Sequence, residues 1–195
     1  MPTSLTASAA AAASQLRDSL RATVVPSESF KIRESQARVD VFLAASSKHV
    51  MAVEAVLVGA ARREIGDARS RELNRACHRL QLALRTMHAR RWGSSTLMRI
   101  PWGVIRREVD ERLESLLAVE ESVSAELDAV LSTDDVAGIS DHLEEAELRA
   151  PTRPHPYLPR RGLGARMAHR AASRADAFWD GVQGRVLPAS GGSSS

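Results

Sequence analysis

Apolar residues recur along most of this chain at steps of three and four, and no segment alternates apolar and polar residues as a half-buried strand would. The stretch from Ser35 to Glu64 shows the pattern well, with one stripe formed by Val39, Phe42, Ala45, His49, Val53, Val56 and Ala60. Such spacing places these side chains on one face of an α-helix. The sequence therefore predicts an all-α fold.

Three further segments carry the same periodicity and have typical helix boundaries. The second helix is predicted over residues 68–91, the third begins at Pro101, and the fourth begins at Ser132 or Thr133 and ends before Pro151. Proline suits the first turn of a helix, and the residue before a proline avoids helical geometry. Short connections therefore separate all four predicted helices.

Short connections favour antiparallel neighbours, so we expect an up-down four-helix bundle with flanking N-terminal and C-terminal helices. The 195 residues suit one domain with tails. The expected division is an Ala-rich segment that is partly helical or disordered (1–33), the bundle (34–150), a Pro- and Arg-rich strap with a basic amphipathic helix (151–187), and a flexible tail (188–195).

The composition argues against several classes of protein. Cys77 is the only cysteine, so neither an intrachain disulfide nor a thiolate zinc cluster can form, and a reducing cytosol is compatible with the chain. The apolar run Val50–Ala61 contains Glu54 and is shorter than the roughly 20 residues that span a bilayer. No complete catalytic motif is present. We therefore expect a cytoplasmic protein without a clear enzymatic signature.

Two ionisable residues fall on or beside the predicted buried faces. His49 lies on the apolar stripe of the first helix, and a buried imidazole requires a hydrogen-bond partner or a metal ion. Glu120 falls between Leu116 and Val123 of the third helix, and a buried carboxylate requires pairing, for which His49 or His142 is available. A core histidine bonded to a carboxylate and a metal site both remain open.

His142 and Glu145 lie one helical turn apart in the fourth helix, with Glu144 and Glu147 nearby. Carboxylates and imidazoles that converge inside a helical bundle bind paired iron or manganese ions. The same spacing also arises on the solvated face of an acidic helix. The candidate metal ligands are therefore His49, Glu120, His142 and Glu145.

Several of these segments resemble the hemerythrin-type (HHE) four-helix bundle family, in particular an actinobacterial branch. The resemblance covers residues 35–187 and consists of FLAASSKHVMAVEAVL around His49, DHLEEAELRAP around His142, and the later runs APTRPHPYLP and AFWDGVQGRV. It implies a four-helix bundle. Family members bind a di-iron centre through several histidines and two carboxylates, and they handle dioxygen, nitric oxide or peroxide.

The chain departs from the ligand pattern of that family. The residue four positions after His49 is Val53 and the one four positions after His142 is Ala146, so the family's His-x-x-x-Glu pair is missing. No His-x-x-x-His pair occurs either. The resemblance therefore implies a degenerate or simplified iron site that binds metal or a small ligand such as O2 or NO. An iron cofactor and the absence of any cofactor are both compatible with the sequence.

The sign of the charge changes abruptly after Glu147. Residues 108–147 carry fourteen acidic side chains and one arginine, whereas residues 148–175 carry seven arginines and no acid. The candidate anion- or partner-binding residues in this basic part are Arg160, Arg161, Arg166, Arg170 and Arg174. A basic amphipathic helix of this kind either packs on the acidic helices of its own chain or serves an outside partner.

The alternative function is therefore a non-catalytic interaction module whose C-terminal helix binds a protein partner or an anionic membrane surface. Nucleic acid is a poor candidate, because the few aromatic residues are not interleaved with basic ones as a base-stacking platform requires. The oligomeric state is open, and a homo-oligomer is compatible with the sequence.

Overall fold

The computed structural model describes residues 4–23, 32–94 and 96–150, and within these ranges the chain is helical without a strand. Its α-helices are α1 (Leu5–Arg21), α2 (Ile32–Ala52), α3 (Val58–Glu64), α4 (Asp67–Arg91), α5 (Trp102–Val130) and α6 (Thr133–Arg149). A π-helical turn, Val53–Leu57, joins α2 to α3 into one long helix, and a 3-10 turn, Leu97–Arg99, precedes α5. The predicted all-α class is confirmed.

The predicted boundary residues end and begin the helices for the expected physical reasons. Gly66 follows α3 with a φ of 102°, and its N–H donates to the carbonyl of Ala61 at 2.9 Å. Pro101 directly precedes α5. The hydroxyl of Ser132 accepts the N–H of Asp135 at 3.2 Å and so caps α6. Local sequence therefore determines where these three helices start and stop.

The core forms around α2, which packs against α1, α4 and α6. Because neighbours surround it on several sides, α2 buries more than one stripe of side chains. The fully buried large residues come from most of the helices and include Leu5, Leu20, Phe42, Leu43, Leu73, Leu80, Leu84, Leu113, Leu116 and Leu127. One continuous apolar cluster thus holds the described helices together.

The N-terminal helix α1 belongs to this core, although the sequence suggested only a flanking position for it. It packs against α5 and α2 and buries Leu16 and Leu20. The carboxylate of Asp128 in α5 accepts hydrogen bonds from the N–H groups of Leu5 and Thr6, both at 2.9 Å, and from the Thr6 hydroxyl at 2.7 Å. A side chain from another helix therefore caps the positive end of α1.

One helix, Glu34–Glu64, is long and apolar enough to cross a membrane when judged by length and composition alone. The run Val50–Ala61 alone is too short to span a bilayer, but the helix that contains it extends well beyond that run. In the structure, 61% of its most apolar window is buried among the other helices. Its apolar character therefore matches its place at the centre of the core.

We expect Asp128→Ala to lower the free energy of unfolding by about 1–2 kcal/mol, because it leaves the N–H groups of Leu5 and Thr6 without their acceptor while the Ser4 hydroxyl still caps Ala7. Urea denaturation monitored by circular dichroism measures the change. The control is Asp141→Ala at an exposed position of α6, where the same replacement brings the same gain in helix propensity and the carboxylate holds no hydrogen bond or ion pair to a described residue. Equal stability of the two variants would contradict this role of Asp128.

Candidate functional site

His49 lies near the C-terminal end of α2 with its imidazole buried between two carboxylates. Its Nε2 is 2.9 Å from Oε2 of Glu120 in α5, and its Nδ1 is 2.9 Å from Oε1 of Glu147 in α6. Each nitrogen of the ring is thus hydrogen-bonded to a carboxylate. The site joins three helices through one side chain, and we call these three residues the Glu–His–Glu cluster.

The electrostatics of the cluster favour a protonated ring. Burial by itself lowers the pKa of His49, but the carboxylates of Glu120 and Glu147 outweigh that effect and raise the pKa to about 10. At neutral pH the imidazolium therefore donates both of its N–H groups. The two carboxylates differ in their surroundings, because the Glu120 side chain is only 4% exposed whereas that of Glu147 is 44% exposed.

The structure brings together His49 and Glu120 from the predicted set but not the other two residues. His142 is exposed, and its Nδ1 is 2.6 Å from the carbonyl oxygen of Gly138 in its own helix. Glu145 is also exposed and forms an ion pair with Arg149 at 2.6 Å. Their positions in α6 face away from the core, so they cannot complete a site at His49.

Glu147, which the sequence placed only in the neighbourhood of the candidate site, is the second carboxylate. The register of α6 explains this outcome, since Val136, Ser140, Leu143 and Glu147 recur at steps of four, three and four on one face. Val136 and Ser140 are buried and Leu143 packs on the core. A count of helical positions from Val136 would have selected Glu147 in place of Glu145.

The donor set does not fit the iron centre that the hemerythrin-type resemblance implies. Among the residues that the structure describes, no group of three His, Cys, Asp or Glu side chains could hold a metal ion. The ring nitrogens of His49 lie on separate edges, and each is already bonded to a carboxylate. One ion cannot therefore be shared by the imidazole and both carboxylates without a rearrangement of the buried cluster.

A cavity of about 240 Å³ opens beside the cluster, between α1, α2 and α6. Its lining combines apolar side chains with an amide, an ammonium group, the imidazole and a carboxylate, from Ala12, Gln15, Leu16, Val41, Ala44, Ala45, Lys48, His49 and Glu147. Within the described part of the chain, Lys48 forms no ion pair within 4 Å. The cavity thus places one cationic side chain next to the Glu–His–Glu cluster.

A second set of polar contacts joins α2 and the π-helical turn to α4, on another side of the long helix. Arg91 pairs with the buried carboxylate of Asp40 at 3.1 Å. The side-chain amide of Gln81 donates to Glu54 at 2.9 Å and approaches the sulfur of Met51 at 3.1 Å. These contacts lie inside a helix interface, and their residues do not line the cavity.

The predicted basic surface lies outside the described residues. This holds for the strap and helix at residues 151–187, for the tail at residues 188–195, and for Arg160, Arg161, Arg166, Arg170 and Arg174. Binding of a protein partner or an anionic membrane by these arginines stays a prediction.

The chain was compared with known proteins at the level of families, individual sequences and folds. No protein-family model, no curated protein and no solved structure matches it. Only the geometry of the described residues therefore bears on function.

We expect Glu120→Gln to lower the free energy of unfolding by about 3–5 kcal/mol, because it leaves the buried His49 imidazolium with one partly exposed carboxylate. Chemical denaturation measures the loss. Glu145→Gln is the control, since that carboxylate is exposed and its removal should change stability by less than about 1 kcal/mol. Similar losses of unfolding free energy for the two variants would show that the buried ion pair stabilises the fold no more than an exposed one does.

The raised pKa of His49 also predicts a dependence of stability on pH. The pKa of about 10 in the folded protein lies above the pKa of about 6.5 in an unfolded chain. The stability that protonated His49 contributes to the fold is therefore complete below pH 6.5 and is lost as the pH rises through 10. The slope is at most about 1.4 kcal/mol per pH unit. NMR titration of the His49 ring should give a midpoint near 10, and a midpoint near 6.5 would contradict the buried imidazolium.

Proposed function

We propose that this protein is a non-catalytic helical protein that binds a small ligand in the cavity between α1, α2 and α6. The observation that carries the proposal is the cavity itself, which places apolar walls and a few polar groups beside a fixed charge cluster. The proposal retains small-ligand binding from the hemerythrin-type expectation and omits the iron, because the described donor set does not fit a metal ion.

The lining has the chemistry of a small-molecule site. Such sites are concave and mostly apolar, with a small number of polar groups that orient the ligand. Here Leu16 and Val41 supply apolar surface, while Gln15 and Lys48 supply a hydrogen-bonding amide and an ammonium group. Ala45 adds a small side chain to the lining. An amphipathic molecule with one polar end suits this combination.

Two broader expectations from the sequence accompany this proposal. We propose that the helices form a four-helix bundle of the hemerythrin type, to which α1 adds a further core helix. In support, α2 packs against α4, and α4 packs against α5. We also propose a cytoplasmic location, with which the single cysteine, a free buried thiol, is compatible.

We expect the uncharged probe 1-octanol to bind the full-length chain in this cavity. Addition of 1-octanol should shift the backbone amide NMR signals of residues that line the cavity, since its chain replaces water at apolar walls. Ala45→Phe should abolish these shifts by filling the space. The control is Ala137→Phe, which adds the same ring at an exposed position of α6.

Two results would contradict the proposal. One is the absence of any saturable shift with 1-octanol in the unaltered protein. The other is binding that survives Ala45→Phe in a protein whose circular dichroism and melting temperature remain normal, because the probe would then occupy a different surface.

A further inference from the structure

We propose that the ligand of this cavity is a small amphipathic carboxylate, which pairs with Lys48 and takes the place of Glu147 at Nδ1 of His49. This inference rests on the proposed function and assigns a chemical class to the ligand. It also assigns different roles to the two carboxylates of the Glu–His–Glu cluster. Glu120 is the permanent partner of His49, and Glu147 is the partner that a ligand displaces.

Lys48 is the first reason for choosing an anion. Lys48 lines the cavity together with apolar residues, and within the described residues its ammonium group forms no ion pair within 4 Å. A ligand carboxylate would give this cation a charge-assisted hydrogen bond. The remainder of such a ligand would contact the apolar side chains of Leu16 and Val41. The arrangement of charge and apolar surface therefore complements an anionic amphiphile.

The difference in burial between the two carboxylates is the second reason. Glu120 is enclosed in the core and bonds to Nε2, whereas Glu147 lines the cavity, bonds to Nδ1 and is 44% exposed. Glu147 is already partly solvated, so its carboxylate returns to water at a lower cost than the enclosed carboxylate of Glu120 would. Departure of Glu147 would leave one N–H of His49 directed at the cavity while Glu120 still holds the ring.

A cationic ligand would give the opposite response to substitution. An alkylammonium would pair with Glu147 and would be repelled by Lys48, so removal of the Glu147 charge would weaken its binding. A carboxylate competes with Glu147, so the same change strengthens its binding. The sign of the effect at one residue therefore distinguishes the two ligand classes.

The test compares octanoate, octylammonium and 1-octanol on the full-length protein at pH 7, with dissociation constants from NMR titration. We expect octanoate to bind most tightly. Glu147→Gln, which retains an oxygen acceptor for Nδ1, should tighten octanoate binding roughly fivefold, and Lys48→Met should weaken it roughly fivefold, as the loss or gain of one partly exposed ion pair predicts. Glu144→Gln removes the same charge from an exposed position of α6 and should change neither value.

The outcomes separate this inference from the proposed function. Weaker octanoate binding in Glu147→Gln, or unchanged binding in Lys48→Met, overturns the carboxylate assignment, and so does a preference for octylammonium. Binding of 1-octanol under those conditions leaves the proposed function intact. If none of the three probes binds, the proposed function fails together with the inference. Thermal melts of each variant establish that the fold is retained.

Discussion

A buried imidazolium must be matched by nearby acceptors, because an isolated charge in a helical core costs several kcal/mol. In this protein the match comes from two other helices, since Glu120 of α5 bonds one nitrogen of His49 and Glu147 of α6 bonds the other. The three helices must therefore adopt one relative position to satisfy the ring. Apolar packing alone tolerates small shifts of helices, whereas hydrogen bonds of 2.9 Å to a fixed ring do not.

The cluster also sets the charge and the hydrogen-bonding character of the neighbouring surface. With both ring nitrogens engaged, His49 acts as a cation that donates hydrogen bonds and not as a metal ligand. The π-helical turn Val53–Leu57 begins four residues after His49 and packs against α6. Such turns are frequent at functional sites, because the extra residue alters which side chains face a neighbouring helix. The cavity beside His49 thus lies where α2, α6 and the capped helix α1 converge.

Much of the fold and two of the three residues of the Glu–His–Glu cluster were predictable from particular residues. Gly66, Pro101 and Ser132 fix helix boundaries through local backbone chemistry, so they act as expected. His49 falls on an apolar stripe, which predicted its burial, whereas Glu120 falls beside one and the structure places it in the core. His142 and Glu145 were chosen by their spacing from each other. Only their spacing from Val136 and Ser140 reveals that they belong to the exposed face of α6.

The sequence by itself determined the all-α class, several helix ends, and the place of the His49 imidazole on a buried face, because periodicity and capping are local properties. Only the tertiary structure decided that Asp128 caps α1, that Glu147 completes the site, and that Lys48 lines a cavity. The physical reason is sequence distance. Asp128 and Glu147 act on residues roughly a hundred positions away, and the packing of helices alone brings such groups into hydrogen-bond contact.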